Sequence, residues 1–362
     1  MTRRRVLLIF GGRSAEHDVS RVTATSVARA LDPARYEVVP VAITQDGRWL
    51  DAPGARALLA DIDAPPPAEG LPVDGVALDA IGAAVAVPGG AALSIDVVIP
   101  LVHGPYGEDG TLQGLLELAG LPYVGSGVLG SAVGMDKSMM KRVLVACGVP
   151  VAAWREHRDG DDLAAFCDAV VADLGLPCFV KPANMGSSVG VSKAHDRAEL
   201  EAAVRYALRY DEWVLAEEAI TGREIEVAVL GDRRPEASRP GEIVPGAEFY
   251  TYADKYETGS AELLAPALLT EAQEAEVRQL ALDAFSACRL EGMARVDFFL
   301  EEPGRGFLVN EVNTIPGFTP ISMYPRLWGI SGVPYPELLD RLIDLAIARH
   351  ARRSLRAGRS RD

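Results

Sequence analysis

The feature that most constrains the fold is an apolar run near the start of the chain that ends in two glycines. Residues Val6 to Phe10 are all apolar, and Gly11 and Gly12 follow them directly. A short apolar run ended by a turn signal predicts a strand that is buried on both faces, as in a parallel sheet. A polar loop then leads into a helix with one apolar face, and a second strand is predicted over Val38 to Ile43. The pattern is a βαβ unit, which predicts an open α/β sheet.

The rest of the chain predicts two smaller α+β units. A third strand of the first unit is predicted over Ile95 to Pro100, and residues 52–92 are a variable connection in which we expect no chemistry. Side-chain periodicity predicts the following later elements: helices Lys137–Ala146, Leu163–Leu174, Ala198–Leu208, Glu271–Leu290 and Glu337–His350, and strands Cys178–Lys181, Val189–Lys193, Trp213–Glu217, Glu224–Leu230, Ala294–Leu300 and Gly306–Asn313. We therefore expect three domains over residues 1–130, 131–219 and 220–362.

Composition and charge exclude several classes of partner. The chain has 362 residues, of which 49% are hydrophobic and 24% are charged, as in a soluble globular protein of more than one domain. Its formal net charge of -15 repels nucleic acid and anionic lipid, so we expect neither as a partner.

The cysteines and the start of the chain predict a protein of the cytoplasm. The four cysteines have no metal-ligand spacing, so we expect free thiols in a reducing compartment. The apolar run that begins at Val6 is too short for a signal-peptide core or a membrane span.

The most informative polar residues lie in the two strands nearest the end of the third unit. Side chains alternate across a strand, so Arg295 and Asp297 share one face, as do Glu311 and Asn313. If the hairpin brings these faces together, two carboxylates and an amide oxygen converge, a set that suits magnesium. The alternative is a solvated polar face of an edge hairpin, but charges among Val, Phe and Leu are costly.

Three glycine-rich segments carry weaker signals. Lys181 ends a strand and precedes a loop from Asn184 to Gly190, whose small residues suit phosphate contacts but also a simple turn. Glu16 follows the first strand at the sheet edge where ligands bind, and Asp18 is expected to cap the next helix. His103 begins a segment with four glycines, where a lone histidine is more often structural.

Together these residues resemble the D-alanine–D-alanine ligases of the ATP-grasp superfamily. The resemblance runs along essentially the whole chain and keeps the order of eight motifs: GGRSAEHDVS, HGPYGEDGTLQG, MDK, FVKPANMGSSVGVSK, EEAITGREIEV, KYETGS, ARVDFF and NEVNTIPGFTPIS. It implies an ATP-grasp fold, with an N-terminal α/β domain on an open parallel sheet and two α+β domains that sandwich ATP. Position 18 departs from many relatives, which have Glu there.

The resemblance also implies a role for each candidate site residue. For ATP the implied residues are Lys137, Lys181, Ser187, Ser188 and Lys255 at the phosphates, Glu217 at the adenine, Glu224 at the ribose, and Glu218. For the substrates they are Glu16 at the first ammonium, Ser322 at the second carboxylate, and His103 and Lys255. For catalysis they are Arg295 and the Gly317 N–H at the oxyanion, with Glu16, Ser187 and Tyr256 holding a loop, residues 249–263, over the site. Two magnesium (or manganese) ions are implied at Asp297, Glu311 and Asn313.

The implied reaction is the joining of two D-alanine molecules through a D-alanyl phosphate, for peptidoglycan synthesis, by a cytoplasmic homodimer. D-Lactate or D-serine as second substrate is the first alternative, and Tyr256 favours D-alanine because dipeptide-forming members carry tyrosine there. Other ATP-grasp carboxylate–amine ligases and a non-catalytic nucleotide-binding module are further alternatives. Other ligases of the superfamily would lack the set of Glu16, Tyr256 and Ser322. A module that had lost its chemistry would not be expected to keep the complete set of Lys181, Arg295, Asp297, Glu311 and Asn313.

Overall fold

The computed structural model of the protein describes residues 3–50, 52–60, 84–85, 93–244 and 262–356. The strands are β1 (Arg4–Gly11), β2 (Tyr36–Ile43), β3 (Trp49–Leu50), β4 (Ala84–Val85), β5 (Leu93–Ser94), β6 (Val97–Pro100), β7 (Trp154–Arg158), β8 (Cys178–Pro182), β9 (Ser192–Ala194), β10 (Trp213–Glu218), β11 (Arg223–Gly231), β12 (Glu236–Ala237), β13 (Gly241–Val244), β14 (Glu262–Leu264), β15 (Gly292–Glu301) and β16 (Gly306–Asn313). The helices are α1 (His17–Ala30), α2 (Ala52–Ala60), α3 (Thr111–Leu118), α4 (Val128–Met135), α5 (Lys137–Ala146), α6 (Leu163–Asp173), α7 (Arg197–Ala207), α8 (Glu271–Ala287), α9 (Met323–Ile330) and α10 (Tyr335–Ser354). None of these helices is long and apolar enough to cross a membrane.

The first sheet has the order β3-β2-β1-β6 and confirms the predicted parallel core. Strand β1 runs parallel to both β2 and β6, while β3 is antiparallel to β2. Successive side chains of β1 point to opposite faces, so Leu7 and Ile9 pack beneath α3 while Leu8 and Phe10 pack toward α1 and α10. Both faces of β1 are therefore buried, as its continuous apolar run predicts.

The connection after β3 begins with a helix that the sequence pattern did not predict. Helix α2 packs against the first sheet through Ala55 and Leu58, which are both buried. Its first turn contains Pro53 and Gly54, two residues that lower helix propensity and obscure the helical pattern. Residues 61–83 and 86–92 of this connection lie outside the described residues.

The second sheet is antiparallel, with the order β7-β10-β8-β9. One face of this sheet packs in a hydrophobic core, and the other face carries charged side chains. Val180 and Ala216 pack under α6 and α7, whereas Lys181 and Glu217 project from the opposite face. Strand β9 begins at Ser192, three residues after the predicted start, because the Gly/Ser loop extends to residue 191.

The third sheet has the order β14-β13-β11-β15-β16, with β12 paired to β11. Val227, Val296 and Val312 face α5 and α8 in a buried cluster. The opposite face therefore carries the alternate residues of β11, β15 and β16, which are mostly polar and charged.

The last helix, α10, joins the third sheet to the first. Leu338, Leu342 and Ile343 belong to a single core cluster that also contains β1 and β6 residues and α9. A hydrogen bond also joins α10 to the segment after α3, since Arg349 donates to the carbonyl oxygen of Tyr123 at 2.7 Å. The helix thus holds the first and third sheets against one another.

Candidate active site

The polar face of the third sheet brings together the residues predicted to hold metal. In the β15–β16 register Asp297 lies opposite Glu311 and Arg295 lies opposite Asn313. Arg295 Nε and one terminal nitrogen each lie 2.7 Å from the two oxygens of Asp297. The Asn313 amide nitrogen lies 2.9 Å from Asp297 Oδ2 and 3.5 Å from Glu311 Oε1. The predicted convergence of these four side chains is therefore present.

Arg295 has a second acidic neighbour that sequence reasoning missed. Glu226 on β11 lies opposite Asp297, and its Oε1 is 3.2 Å from Arg295 Nε. Burial acts to lower the pKa of Arg295, but the charges of Asp297 and Glu226 outweigh it and raise that pKa well above its ordinary value. The guanidinium is therefore held as a cation against this sheet.

The donor set of this face fits a magnesium ion. The carboxylates of Asp297 and Glu311 and the amide oxygen of Asn313 are hard oxygen donors, and such sites leave other positions to water and phosphate. Within the described ranges, no three His, Cys, Asp or Glu side chains meet as a metal cluster, and the set here has only two carboxylates. Both Arg295 and the Asn313 amide nitrogen contact Asp297, so a cation would displace these contacts.

The second sheet presents a chain of charged groups toward the third. Lys181 Nζ lies 2.5 Å from Glu217 Oε2 and 3.2 Å from Asn310 Oδ1, the residue before Glu311. The other Glu217 oxygen lies 2.9 Å from Nζ of Lys141, a fully buried residue of α5. Burial acts to raise the pKa of Glu217, but Lys141 and Lys181 outweigh it and lower that pKa to about 2.

Lys137 lies at the start of α5 and contacts the glycine-rich loop. Its Nζ is 2.5 Å from the carbonyl oxygen of Met185. Asp136 caps the helix by accepting a hydrogen bond from the Met139 N–H at 2.9 Å, which confirms the predicted cap and both helix bounds. The cap fixes Lys137 next to the loop that was predicted to contact phosphates.

Glu16 lies between that loop and the segment after β6. The Ser187 hydroxyl donates a hydrogen bond to Glu16 Oε1, a contact that the resemblance predicts. A Cβ at Gly104 or Gly186 would lie 2.8 or 3.0 Å from Glu16 Oε2, so both loops approach this carboxylate closely. Ser187 adopts a left-handed backbone conformation, with a φ of 48°, which turns the loop toward Glu16.

Helix α1 begins differently from the prediction. The residue before its first turn is Glu16, whereas Asp18 lies inside that turn and pairs with Arg21 at 3.6 Å. The prediction that Asp18 caps the helix is wrong, because Ser14 forms a turn that starts the helix earlier.

Two side chains of the segment after β6 bind the backbone that follows β16. His103 Nδ1 lies 2.9 Å from the Ile315 carbonyl oxygen, and Glu108 Oε1 accepts a hydrogen bond from the Ile315 N–H at 3.0 Å. Glu108 Oε2 also accepts from the Gly104 N–H at 2.7 Å. Burial lowers the pKa of His103, which therefore donates through Nδ1 as a neutral ring. Sequence reasoning missed Glu108, although its place in the motif that begins at His103 was a signal.

The remaining predicted residues fall into two groups, those that the structure describes and those that lie outside the described residues. Ser322 lies beside Gly317, where an added Cβ would be 3.1 Å from the serine hydroxyl. Glu218 faces away from the lysines and pairs with Arg305 at 2.7 Å. Ser188 follows Ser187 in the loop, and Glu224 lies on the polar face of β11. Lys255, Tyr256 and most of the predicted loop 249–263 lie outside the described residues, whose β14 begins at Glu262.

Comparison with known proteins matches both halves of the chain to one family. A family model described as "D-ala D-ala ligase N-terminus" matches residues 5–126, and one described as "D-ala D-ala ligase C-terminus" matches residues 143–344. The D-alanine--D-alanine ligase of Geobacillus kaustophilus is 47% identical and covers 96% of this chain and 95% of its own length. That of Streptomyces griseus is 49% identical over 95% of this chain and 93% of its own.

Two solved structures are also similar over almost the whole chain. The D-alanine-D-alanine ligase from Coxiella burnetii has a TM-score of 0.84 and 39% identity, covering 98% of this chain and 97% of its own. The VanG D-Ala:D-Ser ligase from Enterococcus faecalis has a TM-score of 0.83 and 31% identity, covering 95% of this chain and all of its own.

Proposed function

The chain belongs to the D-alanine–D-alanine ligase family, and we propose that it joins two molecules of D-alanine into D-alanyl-D-alanine with ATP as the phosphoryl donor. One observation carries this proposal. His103 and Glu108 bind the backbone of Ile315, two residues after Asn313. They therefore hold the loop beside Glu16 against the end of the strand that carries the proposed metal ligands. A carboxylate that can bind an ammonium thus lies next to groups that can bind a nucleotide.

Activation of the first D-alanine is the step that requires ATP. Its carboxylate attacks the γ-phosphorus, the bond to the ADP oxygen breaks, and a D-alanyl phosphate forms. Lys137, Lys181 and Lys255 and the loop at Ser187 and Ser188 bind the phosphates, because phosphoryl transfer depends on charge stabilisation and positioning. Bound magnesium or manganese would supply further positive charge at the phosphates.

The other residues of this face orient the nucleotide and the metal. Asp297, Glu311 and Asn313 would hold the two magnesium or manganese ions. Glu217 accepts from the adenine amino group and Glu224 binds the ribose. Glu218 belongs to this set by resemblance alone, since its carboxylate pairs with Arg305.

The second step forms the peptide bond. The free amine of the second D-alanine attacks the carbonyl carbon, phosphate leaves, and the amine loses a proton. Arg295 and the Gly317 N–H stabilise the tetrahedral oxyanion, and Ser322 binds the second carboxylate. Glu16 holds the first ammonium, with His103 beside it. Closure of the loop 249–263 through Tyr256 protects the acyl phosphate from water.

The wider setting is proposed on the same basis. The three domains span residues 1–130, 131–219 and 220–362, with ATP between the second and third. The protein acts in the cytoplasm on small molecules, in peptidoglycan precursor synthesis. Assembly as a homodimer is a prediction that light scattering tests.

The first experiment measures phosphate release from ATP and magnesium with D-alanine or L-alanine, with the product identified by mass. Release with D-alanine alone, together with the dipeptide, supports the proposal. The similarity to a D-Ala:D-Ser ligase makes D-serine the competitor to test, alongside D-lactate. Incorporation of either at neutral pH, at levels comparable with the dipeptide in direct competition, would contradict D-alanine as second substrate.

A further inference from the structure

The feature that the proposed reaction leaves unused is a lysine buried behind the nucleotide residues. Lys141 lies on the inner face of α5 and is 0% exposed. Its Nζ lies 2.9 Å from Glu217 Oε1 and 3.4 Å from the Ala152 carbonyl oxygen. The ammonium also lies 5.8 Å from the centre of the Trp154 ring. A fully buried lysine needs an acidic or polar partner, because burial of an unpaired ammonium costs folding free energy.

Glu217 is shared between two lysines that differ in access to the site. Lys181 Nζ lies 2.5 Å from Glu217 Oε2, but its side chain is 14% exposed and reaches Asn310 as well. Lys141 is enclosed beside Trp154, and of the two Glu217 oxygens it contacts Oε1. Only one of the two lysines can therefore turn to a ligand in the cleft.

The arrival of phosphates changes the charge balance at Glu217. In the proposed function Lys181 binds the phosphates of ATP, which carry more negative charge than one carboxylate. The contact between Lys181 and Glu217 must then weaken or be shared. Without a second cation, Glu217 would be a buried carboxylate with a weakened partner, which would favour its protonation. A protonated carboxyl has lost its charge and carries an O–H donor on one oxygen, so it accepts hydrogen bonds less strongly.

We propose that Lys141 is a positioning residue for nucleotide recognition, which keeps the Glu217 carboxylate charged and fixed in orientation when Lys181 engages the phosphates. This inference rests on the proposed role of Glu217 at the adenine. An ionised acceptor at that position favours a base with an amino group at its edge, as in adenine. Guanine has a carbonyl oxygen there, which a carboxylate repels. Lys141 therefore favours adenine over guanine although it touches neither.

The experiment measures nucleotide binding without D-alanine, so that it does not depend on ligation. Titration calorimetry gives the Kd of AMP-PNP and of GMP-PNP with magnesium for the wild type, Lys141→Met, Glu217→Gln and the double variant. Methionine keeps the length of the lysine side chain and removes its charge. Arg142→Met is the matched control, because Arg142 is the next residue of the same helix, is exposed, and pairs with Glu156 instead.

We expect Lys141→Met to weaken AMP-PNP binding about tenfold, the loss of one charge-assisted hydrogen bond, and to leave GMP-PNP binding nearly unchanged. The preference for adenine therefore falls about tenfold, while Arg142→Met keeps the wild-type preference. In the Glu217→Gln background the same lysine change should alter AMP-PNP binding by less than about twofold, because its effect acts through Glu217. A purely structural role would weaken both analogues equally.

Two results would overturn the role of Lys141. One is an unchanged preference between the analogues in Lys141→Met, and the other is an equal loss of AMP-PNP binding with and without Glu217. If Lys141→Met does not fold, the double variant and Glu217→Gln still give a test, since a neutral pair leaves no unpaired buried charge. A change in AMP-PNP affinity well above about twofold between them would contradict an effect that acts through Glu217. Failure of the wild type to bind either analogue would overturn the proposed ATP site itself. Dipeptide formation with an unaltered preference in Lys141→Met would overturn the Lys141 role alone.

Discussion

Every cation proposed to meet a substrate or phosphate on the second and third sheets has an acidic side chain beside it. Arg295 contacts Asp297 and Glu226, and Lys181 contacts Glu217. These pairs keep buried cations charged, because an unpaired buried charge is costly. Substrate and metal binding then exchanges one ionic partner for another and does not create new buried charges.

At Glu16 the proposed ammonium contact predicts a loss of affinity for the first D-alanine. Glu16→Gln keeps the shape of the side chain and its hydrogen bond from Ser187, but removes the charge. We expect the KM of the first D-alanine to rise about tenfold to a hundredfold, the loss of a charge-assisted contact. Initial rates at varied D-alanine measure it. The control is Asp18→Asn, which removes the same charge from an exposed position of the same helix; an equal rise in both variants would contradict the prediction.

At Asp297 the proposed metal contact predicts a loss of metal affinity. Asp297→Asn leaves Arg295 paired with Glu226, so we expect the variant to fold. Manganese binding, measured by electron paramagnetic resonance with an ATP analogue present, should weaken at least about tenfold, and kcat should fall about a hundredfold or more. Asp283→Asn on α8 is the control, because it removes one exposed carboxylate far from the sheet face. Unchanged manganese affinity in Asp297→Asn would exclude it as a ligand.

At the scale of single elements, the β15–β16 hairpin shows why part of the site was predictable. The strands alternate Val, Phe and Leu with polar residues, so the period of two placed Arg295 with Asp297 and Glu311 with Asn313 from sequence alone. That the two pairs share one face follows from the strand register. The register also shifts between Asp297 and Phe298, which no local pattern reveals. Glu226 was missed because its contact with Arg295 arises from pairing between β11 and β15, which are far apart in sequence.

Other elements were missed for local physical reasons. Strand β7 reads WREHR and carries three charged residues, because it lies at the edge of the second sheet. Lys141 was placed on the predicted helix but its partner was not, since Glu217 on β10 lies 76 positions further along the chain and meets Lys141 only in the folded protein. Strand β16 and helix α5 have the predicted bounds because their patterns are strong and their ends carry clear signals.

Helix α8 offers a test of an element that lies away from the chemistry. Thr270 and Gln273 form a capping box at its start, with both reciprocal hydrogen bonds present. We expect Thr270→Ala to lower the free energy of unfolding by about 1 kcal/mol without a change in kcat or KM. Urea denaturation followed by circular dichroism measures the first. Thr270→Ser, which retains the hydroxyl, should restore most of the loss; no difference between the two variants would contradict the cap.

At the scale of the whole molecule, we expect α10 to make the first and third sheets one cooperative unit, because its apolar face packs against both. Leu342 is 2% exposed within the core cluster that contains residues of both sheets. We expect Leu342→Ala to cost about 2–5 kcal/mol and to destabilise both sheets together. Hydrogen exchange of amides in β1 and β11 should speed up in parallel. Faster exchange in β11 alone would show that the two sheets unfold independently. Ala348→Gly, a change in the exposed part of the same helix, is the control for helix propensity.

Sequence reasoning predicted the first sheet and several strands of the second and third sheets, but not how α10 joins the first sheet to the third. The apolar face of α10 was evident, because Leu338, Leu342 and Leu345 recur at helical spacing. In the structure that face packs against β6 and α1. These elements lie more than 200 residues earlier in the chain, so the periodicity of α10 does not reveal the contact. The domain boundaries at residues 130 and 219 stay predictions.

The most direct test of carboxylate activation is the fate of isotopic oxygen. With D-alanine carrying ¹⁸O in both carboxylate oxygens, phosphorylation and attack by the second amine predict one ¹⁸O in the released phosphate for each dipeptide formed. The other ¹⁸O from the same carboxylate stays in the peptide carbonyl. Mass analysis of the phosphate and the dipeptide reads out both. Phosphate free of ¹⁸O, released together with dipeptide, would contradict an acyl phosphate and with it the proposed chemistry of the site.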